Sequence, residues 1–224
     1  MTLSTDMEDM SVKLIAVTQP RIRGVETAEQ LVAYVARVSN PKNQLNHGTA
    51  PRMLNYCMKN GHFSVFETAS MTMEIKTTRA IATQILRHRS FTFQEFSQRY
   101  SKVDVTIPPV EARMQDSTNR QNSFETNNIE LHQWFSDEQK QLYEQSLKVY
   151  NKALEKGISK ESARFVLPLS TPTTLYMTGN IRDWVFYIKL RSSSGTQKEH
   201  KDVANACRDI FKKELPQISS SLGW

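Results

Sequence analysis

The sequence predicts an α+β fold, a helix-rich single domain with a small, mostly antiparallel sheet. Long stretches carry apolar residues at helical spacing, above all 128–155 and 198–213. Strand-type alternation is confined to short, scattered runs such as Met71, Met73 and Ile75 set among Thr72, Glu74 and Lys76. No internal repeat or low-complexity tract suggests an array. At 224 residues with 38% hydrophobic side chains, the chain has enough apolar surface for one core.

Taken in order, residues 1–11 read as a flexible tail and 12–224 as the domain. Val12 to Val17 suits a short strand closed by Pro20. Thr27 with Gln30 fits a capping box ahead of Leu31, Tyr34, Val35 and Val38 at helical spacing. After an Asn-, Pro- and Gly-rich loop, Thr49 is placed to cap a second helix and Gly61 to end it. Ser64 and Glu67 resemble another capping box. The alternating run at 71–76 predicts a strand with one wet face, and a helix follows from Thr77 or Thr78 with Ile81 and Ile85 inward.

Residues 101–128, with Pro108-Pro109 and many Gln, Asn, Ser and Thr, predict a long loop. An amphipathic helix runs from about Asn128 to Glu155 and stops at Gly157. A shorter one over 160–167 ends before Pro168. Thr173 to Met177 suits a strand, Ile181 to Leu190 and Lys198 to Lys213 suit helices, and Pro216 terminates the last.

Charge and cysteine content narrow the function. A formal net charge of +6 favours anionic partners: nucleotides, phosphates, polyglutamates or nucleic acid. Cys57 and Cys207 have no metal-type spacing and imply no disulfide framework. The acidic N-terminus is not a signal peptide, and no run has the length of a membrane span, so a cytoplasmic protein is expected. Histidines three or four apart are absent, so no metal site is expected. His47, His132 and His200 are expected at the surface, and neither cysteine has the context of a nucleophile.

The densest chemistry lies in residues 87–100, RHRSFTFQEFSQRY. Arg87 and Arg89 would point about 200° apart on a continuing helix, so they could not serve one ligand there. Taken alone, the triplet is better explained as a cationic helix end complementing the macrodipole. Glu95 and Arg99 would form an i,i+4 pair if helical. If extended, Glu95, Ser97 and Arg99 line one wall, where Arg can take phosphate oxygens and Glu can accept from a hydroxyl or ring N–H. A nucleic-acid module using Arg and Phe to clamp phosphates and stack bases is the second reading. The spread of 29 basic residues among 23 acids argues against it.

Together the motifs resemble one family. Arg87-His88-Arg89, seven residues and then Ser97, with Glu95 two before it and Arg99-Tyr100 after, resembles the signature of flavin-dependent thymidylate synthases. Ala36-Arg37-Val38-Ser39, Gly61 to Glu67, Ala163 to Pro168, Asn180-Ile181-Arg182 and Leu190-Arg191 resemble its other blocks, in order. The resemblance implies methylation of carbon 5 of dUMP without an enzyme cysteine nucleophile. Methylenetetrahydrofolate supplies the carbon, and NADPH supplies reducing equivalents through FAD. It also implies a homotetramer with shared active sites and no stable nucleic-acid or membrane partner.

By position, Gln84, Arg87, Glu95, Phe96, Ser97, Gln98, Arg99, Arg164 and Arg191 are expected to bind dUMP, with Arg191 the catalytic residue at the uracil edge. Ser64, Arg87, His88, Arg89, Glu95, Asn180 and Arg182 are expected to face FAD, and His62 to lie near flavin and folate. On these expectations Gln84 to Arg89 presents cations from a helix end, and Glu95 to Arg99 is extended. The chain departs from the family at Gln94, Phe186 and Gly195, where Asn, Asn and His are common.

Overall fold

The structure, a computed structural model, describes residues 11–224. The expected tail over 1–11 lies outside the described residues, except Ser11, which is already paired in the first strand. The described residues form a four-stranded antiparallel sheet of order β1-β2-β6-β3, where β1 is Ser11–Val17, β2 Ser70–Thr78, β3 Thr92–Glu95 and β6 Pro172–Asn180. A separate hairpin, β4 (Arg113–Gln115) with β5 (Ser123–Glu125), stands within 101–128. Eight α-helices accompany them: α1 Ala28–Ala36, α2 Ala50–Lys59, α3 Arg79–Ile85, α4 Ile129–Glu155, α5 Lys160–Ala163, α6 Ile181–Arg191, α7 Lys198–Glu214 and α8 Pro216–Ser221.

The sheet buries one face. Met71, Met73 and Ile75 of β2 and Leu175 and Met177 of β6 point into the core, where α6 contributes Trp184, Val185 and Ile188 and α7 contributes Val203, Ala204, Cys207 and Phe211. The period-2 alternation does this, because every second side chain falls on the same side. Trp184 fixes α6 on β2 through its buried indole N–H, which donates to the Met71 carbonyl at 3.0 Å.

Both central strands turn directly into helices. Thr78 caps α3 by accepting from the Ile81 N–H, and Asn180 caps α6 in a full capping box with Asp183. β2 and β6 are antiparallel, with Ser70 opposite Asn180 and Thr78 opposite Pro172. The two helices therefore start from opposite ends of the sheet. Carbonyls of Thr171 and Leu169 accept from the N–H groups of Arg79 and Ala80, which would otherwise lack partners.

Several local expectations need correction. Thr49 precedes α2 but makes no cap; its hydroxyl instead accepts from Arg37 Nη2 at 2.9 Å. Ser64 and Glu67 form no capping box, because Phe63–Glu67 is a tight 3-10 turn and Glu67 pairs with Arg182. The 101–128 loop contains the β4–β5 hairpin, whose turn is organised by the Asp116 carboxylate. That carboxylate accepts from the N–H groups of Thr118 and Asn119 and from the Asn122 amide. Pro216 ends one helix only to begin α8 at its first turn, where a missing N–H costs nothing.

Two packing details lead to predictions. A Cβ on Gly179 would stand 2.5 Å from the ring of Phe91, itself buried against Trp184 and Tyr187. Gly179→Ala is expected to cost about 1–3 kcal/mol, as overpacking does, and to lower Tm by several degrees; an unchanged melting curve would show that the ring has room to move. Glu29 is buried and accepts from the Ile218 N–H at 2.7 Å, tying α1 to α8. Burial raises its pKa from 4.5 to about 7 despite backbone hydrogen bonds that oppose the shift. Its protonated form is therefore the stable one, and that contribution is full below 4.5 and lost as pH rises through about 7. At about 1.4 kcal/mol per tenfold change in proton affinity, the effect is of the order of 3 kcal/mol. Glu29→Gln should gain Tm relative to the parent as pH rises from 5 to 8; parallel Tm–pH curves would contradict this.

Candidate active site

The C-terminal ends of α3 and α6 meet, and the start of α7 closes over them. α3 stops at Ile85 with Leu86 as its cap, and the His88 N–H reaches back to the Ile85 carbonyl. The triplet Arg87-His88-Arg89 is therefore off the helix. Arg87 and Arg89 are exposed, and neither has a carboxylate partner among the described residues. His88 turns inward between them.

There Arg191, at the end of α6, donates from Nε to His88 Nε2 at 2.8 Å. An imidazole nitrogen that accepts carries no proton, so His88 is neutral with its hydrogen on Nδ1. Burial, then the charge of Arg191, lowers its pKa from 6.5 to about 4. The His88 ring also stands edge-on to Tyr187, 4.9 Å between centroids. Arg191 is thus oriented by a neutral acceptor, which leaves its charge uncompensated and its two Nη groups available.

Gln84 belongs to the same cluster. Its amide lies between Gln197 (2.7 Å) and His200 (3.1 Å). His200, expected at the surface, is fully buried, because it begins the inward stripe of α7 that continues through Val203, Ala204, Cys207 and Phe211. That spacing was the available signal for its burial. Arg113, Gln197 and Glu199 had no such signal. Glu199 accepts from Arg113 Nη2 at 3.0 Å, anchoring the β4–β5 hairpin beside this cluster.

A second group forms where β3 ends. The extended run expected through Arg99 stops earlier: Phe96 still donates to the Thr174 carbonyl, but Ser97 opens a turn, its carbonyl accepting from Tyr100 and Ser101. The turn sends Arg99 to Glu161 at 3.2 Å, and the helical Glu95–Arg99 pair does not form. Ser97, Arg99 and Tyr100 with Ser159, Lys160 and Glu161 line an open cleft of about 410 Å³. Arg164 follows in the next turn, its guanidinium over the Phe165 ring at 5.8 Å. Phe96 instead lines a neighbouring cavity of about 310 Å³ with Lys76 and Lys102, and Gln98 is buried with its Nε2 unpartnered.

Glu95 joins the two groups through the start of α3. Its Oε1 accepts from Arg79 Nη1 (2.8 Å) and from the Thr173 hydroxyl (3.0 Å). Neither partner has a local signal in the sequence, since the contacts depend on how β3 packs beside β6 and the start of α3. One carboxylate oxygen is fixed and the other is turned away from these partners.

A third group surrounds the start of α6. Arg182 pairs with Glu67 and lies 5.7 Å from the ring centre of Phe186, which contacts Phe63 at 4.9 Å. Ser64 is exposed on the same 3-10 turn, and His62 stands edge-on to Tyr56. The Asn180 side chain serves as the α6 cap. Exposed aromatic surface beside a guanidinium, together with Arg87 and Arg89, which have no carboxylate partner among the described residues, suits a flat ring system and an anionic linker. The residues present therefore fit FAD. Both cysteines are buried, which pushes their thiols up and holds them protonated. No helix among the described residues is long and apolar enough to cross a membrane.

Comparison with known proteins gives this geometry a context. A family model described as thymidylate synthase complementing protein matches residues 21–217. The chain is 61% identical over 215 residues to a probable flavin-dependent thymidylate synthase of Paramecium bursaria Chlorella virus 1, covering 96% of this chain and 100% of the relative. It is 46% identical over 218 residues to a flavin-dependent thymidylate synthase of Synechocystis, with coverage of 96% and 100%. A crystal structure of the UMP/dUMP methylase PolB from Streptomyces cacaoi, bound with 5-Br dUMP, is similar at a TM-score of 0.79 and 26% identity, covering 96% of this chain and 95% of that one.

The paired rings offer a direct check. His88 and His200, with pKa values lowered to about 4 and about 3, should stay neutral and Nδ1-protonated from pH 8 down to about 5. Side-chain ¹H–¹⁵N spectra, assigned with His88→Asn and His200→Asn, should show these two rings unchanged over that range. A midpoint near 6.5 for either would contradict the geometry.

Proposed function

The chain belongs to the flavin-dependent thymidylate synthases and is an enzyme that methylates dUMP; from that premise we propose how its residues divide the work. The observation that carries the reading is Arg191, held at Nε by a neutral imidazole with both Nη groups free. A guanidinium so placed can receive the uracil edge and stabilise negative charge as carbon 5 becomes nucleophilic. No cysteine is needed for this activation, and neither Cys57 nor Cys207 is accessible for it.

Ser97, Arg99 and Arg164 take the phosphate and sugar of dUMP, with Phe96 and Gln98 shaping that wall. Glu95 accepts from a ligand hydroxyl or ring N–H through its untied oxygen. Gln84 and Arg87 contact the nucleotide from the α3 end. Those two sets stand at opposite ends of α3, which supports a site completed between copies of the chain. The proposed assembly is a homotetramer. Exposed apolar side chains on α4 (Trp134 and Leu142) and at Phe165 and Leu169 are the kind of surface such an assembly covers. The functional unit is one domain spanning 12–224.

FAD is held by Arg87, Arg89 and Arg182, with Ser64, His88, Glu95 and Asn180 bordering it. Phe186 supplies apolar surface where relatives often place Asn, and Gly195 offers no side chain where His is common. Bound FAD supplies reducing equivalents, drawn from NADPH. Methylenetetrahydrofolate brings the carbon at the level of formaldehyde, and two electrons bring it to methyl as carbon 5 gives up its proton. His62 lies where folate and flavin approach. These substrates are anionic, matching the positive balance of the chain, and a cytoplasmic location follows from them.

Arg191→Ala tests the central role. The variant should keep most of its bound FAD by absorbance, yet lose dUMP-dependent reoxidation of the reduced enzyme by about 10²-fold or more, the scale of one oxyanion-type donor. In the parent, anaerobic reduction with NADPH followed by dUMP and methylenetetrahydrofolate should yield dTMP. Full turnover by the variant would remove Arg191 from the chemistry.

A further inference from the structure

We propose that His200 and Gln197 are positioning residues that lock the Gln84 amide so that it offers the nucleotide only an N–H donor. This rests on the reading that Gln84 contacts dUMP.

His200 holds the tautomer that this orientation of Gln84 requires. Gln84 Oε1 can only accept, so His200 Nδ1, 3.1 Å away, carries the ring hydrogen. His200 Nε2 is then an acceptor, and the Tyr187 hydroxyl at 3.2 Å donates to it. His200 is 0% exposed, so water does not replace these partners at its ring nitrogens. Burial, then the charges of Arg191 and His88, keeps the ring neutral by lowering its pKa to about 3.

The other side of the amide is constrained independently. Gln197 Nε2 donates to Glu199 Oε2 at 2.9 Å, and a carboxylate can only accept. That turns Gln197 Oε1 towards Gln84, whose Nε2 donates to it at 2.7 Å. Glu199 is in turn held by Arg113, with Nη2 donating to Oε2 at 3.0 Å and Nη1 lying 2.6 Å from Oε1, off the hydrogen-bonding line. The carboxylate of Glu199 thus sets the orientation of Gln84, and the His200–Tyr187 pair takes the one tautomer that agrees with it. Its carbonyl is occupied, one amide hydrogen is occupied, and one amide hydrogen remains.

Gln84 consequently reads an oxygen acceptor of the nucleotide and cannot satisfy a donor there. An amide free to flip would accept either. Burial of the wrong partner against a fixed group is what gives polar readout its discrimination.

The test separates positioning from mere stability. His200→Asn keeps an N–H near the place of Nδ1 but loses the acceptor for Tyr187; His200→Leu loses both. Each should lower Tm. In titrations of dUMP into the FAD-loaded enzyme, His200→Leu is expected to weaken binding about tenfold, the scale of one hydrogen bond, and His200→Asn by less than about threefold. In a Gln84→Ala background, His200→Leu should weaken binding no further. Gln197→Ala, at an exposed position that does not threaten folding, should show the same non-additivity with Gln84→Ala. Equal losses for His200→Asn and His200→Leu, or fully additive losses with Gln84→Ala, would overturn the proposal. If Gln84→Ala alone leaves dUMP affinity unchanged, the placement of Gln84 in the nucleotide site is wrong, and the proposal falls with it.

Discussion

The antiparallel register of β2 against β6 is the constraint on which the site depends. With Ser70 opposite Asn180 and Thr78 opposite Pro172, each strand ends where the other begins. Each continues into a helix with no intervening loop, at caps that satisfy the first orphaned N–H groups. The starts of α3 and α6 are thereby fixed at opposite ends of the sheet, and their lengths bring His88 and Arg191 together. A slip of one residue would turn Met71, Met73 and Ile75 to solvent and separate the two helix ends. Gly179 protects the same register, because any side chain there would collide with Phe91.

Electrostatics then distinguishes the arginines. Arg79 and Arg113 pair with carboxylates inside the fold, so their charge is largely spent there, whereas Arg99 and Arg182 make exposed pairs that an anionic ligand can compete for. Arg191 is held by an imidazole that burial keeps neutral, and Arg87 and Arg89 extend from a turn without an acidic partner among the described residues. A neutral acceptor fixes the direction of a guanidinium without cancelling its charge. For the proposed role, binding anionic nucleotides and stabilising charge on the pyrimidine, that difference matters more than the number of basic residues.

Much of this was legible in the sequence where local rules coincide with tertiary ones. The alternation at 71–76, the Thr27–Gln30 box, the helix starts near Thr78 and Asn128 and the glycine stops at 61 and 157 all behave as their local chemistry dictates. Features that depend on distant partners were not legible. Thr49 and Glu67 had plausible local roles but were claimed by Arg37 and Arg182, which bind them more strongly than a backbone N–H would. The β4–β5 hairpin is too short and polar for a period to show, and it is held largely by Asp116 and by Arg113 reaching α7. His200 is polar by type, and only the apolar stripe it heads on α7 marks it as buried.

The segment RHRSFTFQEFSQRY gains its range of contacts from failing to be one element. A helix through Arg87-His88-Arg89 would have placed the two arginines on divergent faces and His88 wherever the 100° step put it. Ending α3 at Ile85 lets the chain put His88 inside, against Arg191 and Tyr187, while both arginines stay outside. A strand continued through Arg99 would have put Glu95, Ser97 and Arg99 on one wall. Turning at Ser97 instead leaves Glu95 tied to the sheet through Arg79 and Thr173 and carries Arg99 across to α5. Fourteen residues thus reach three parts of the fold, and the breaks in secondary structure are what allow it.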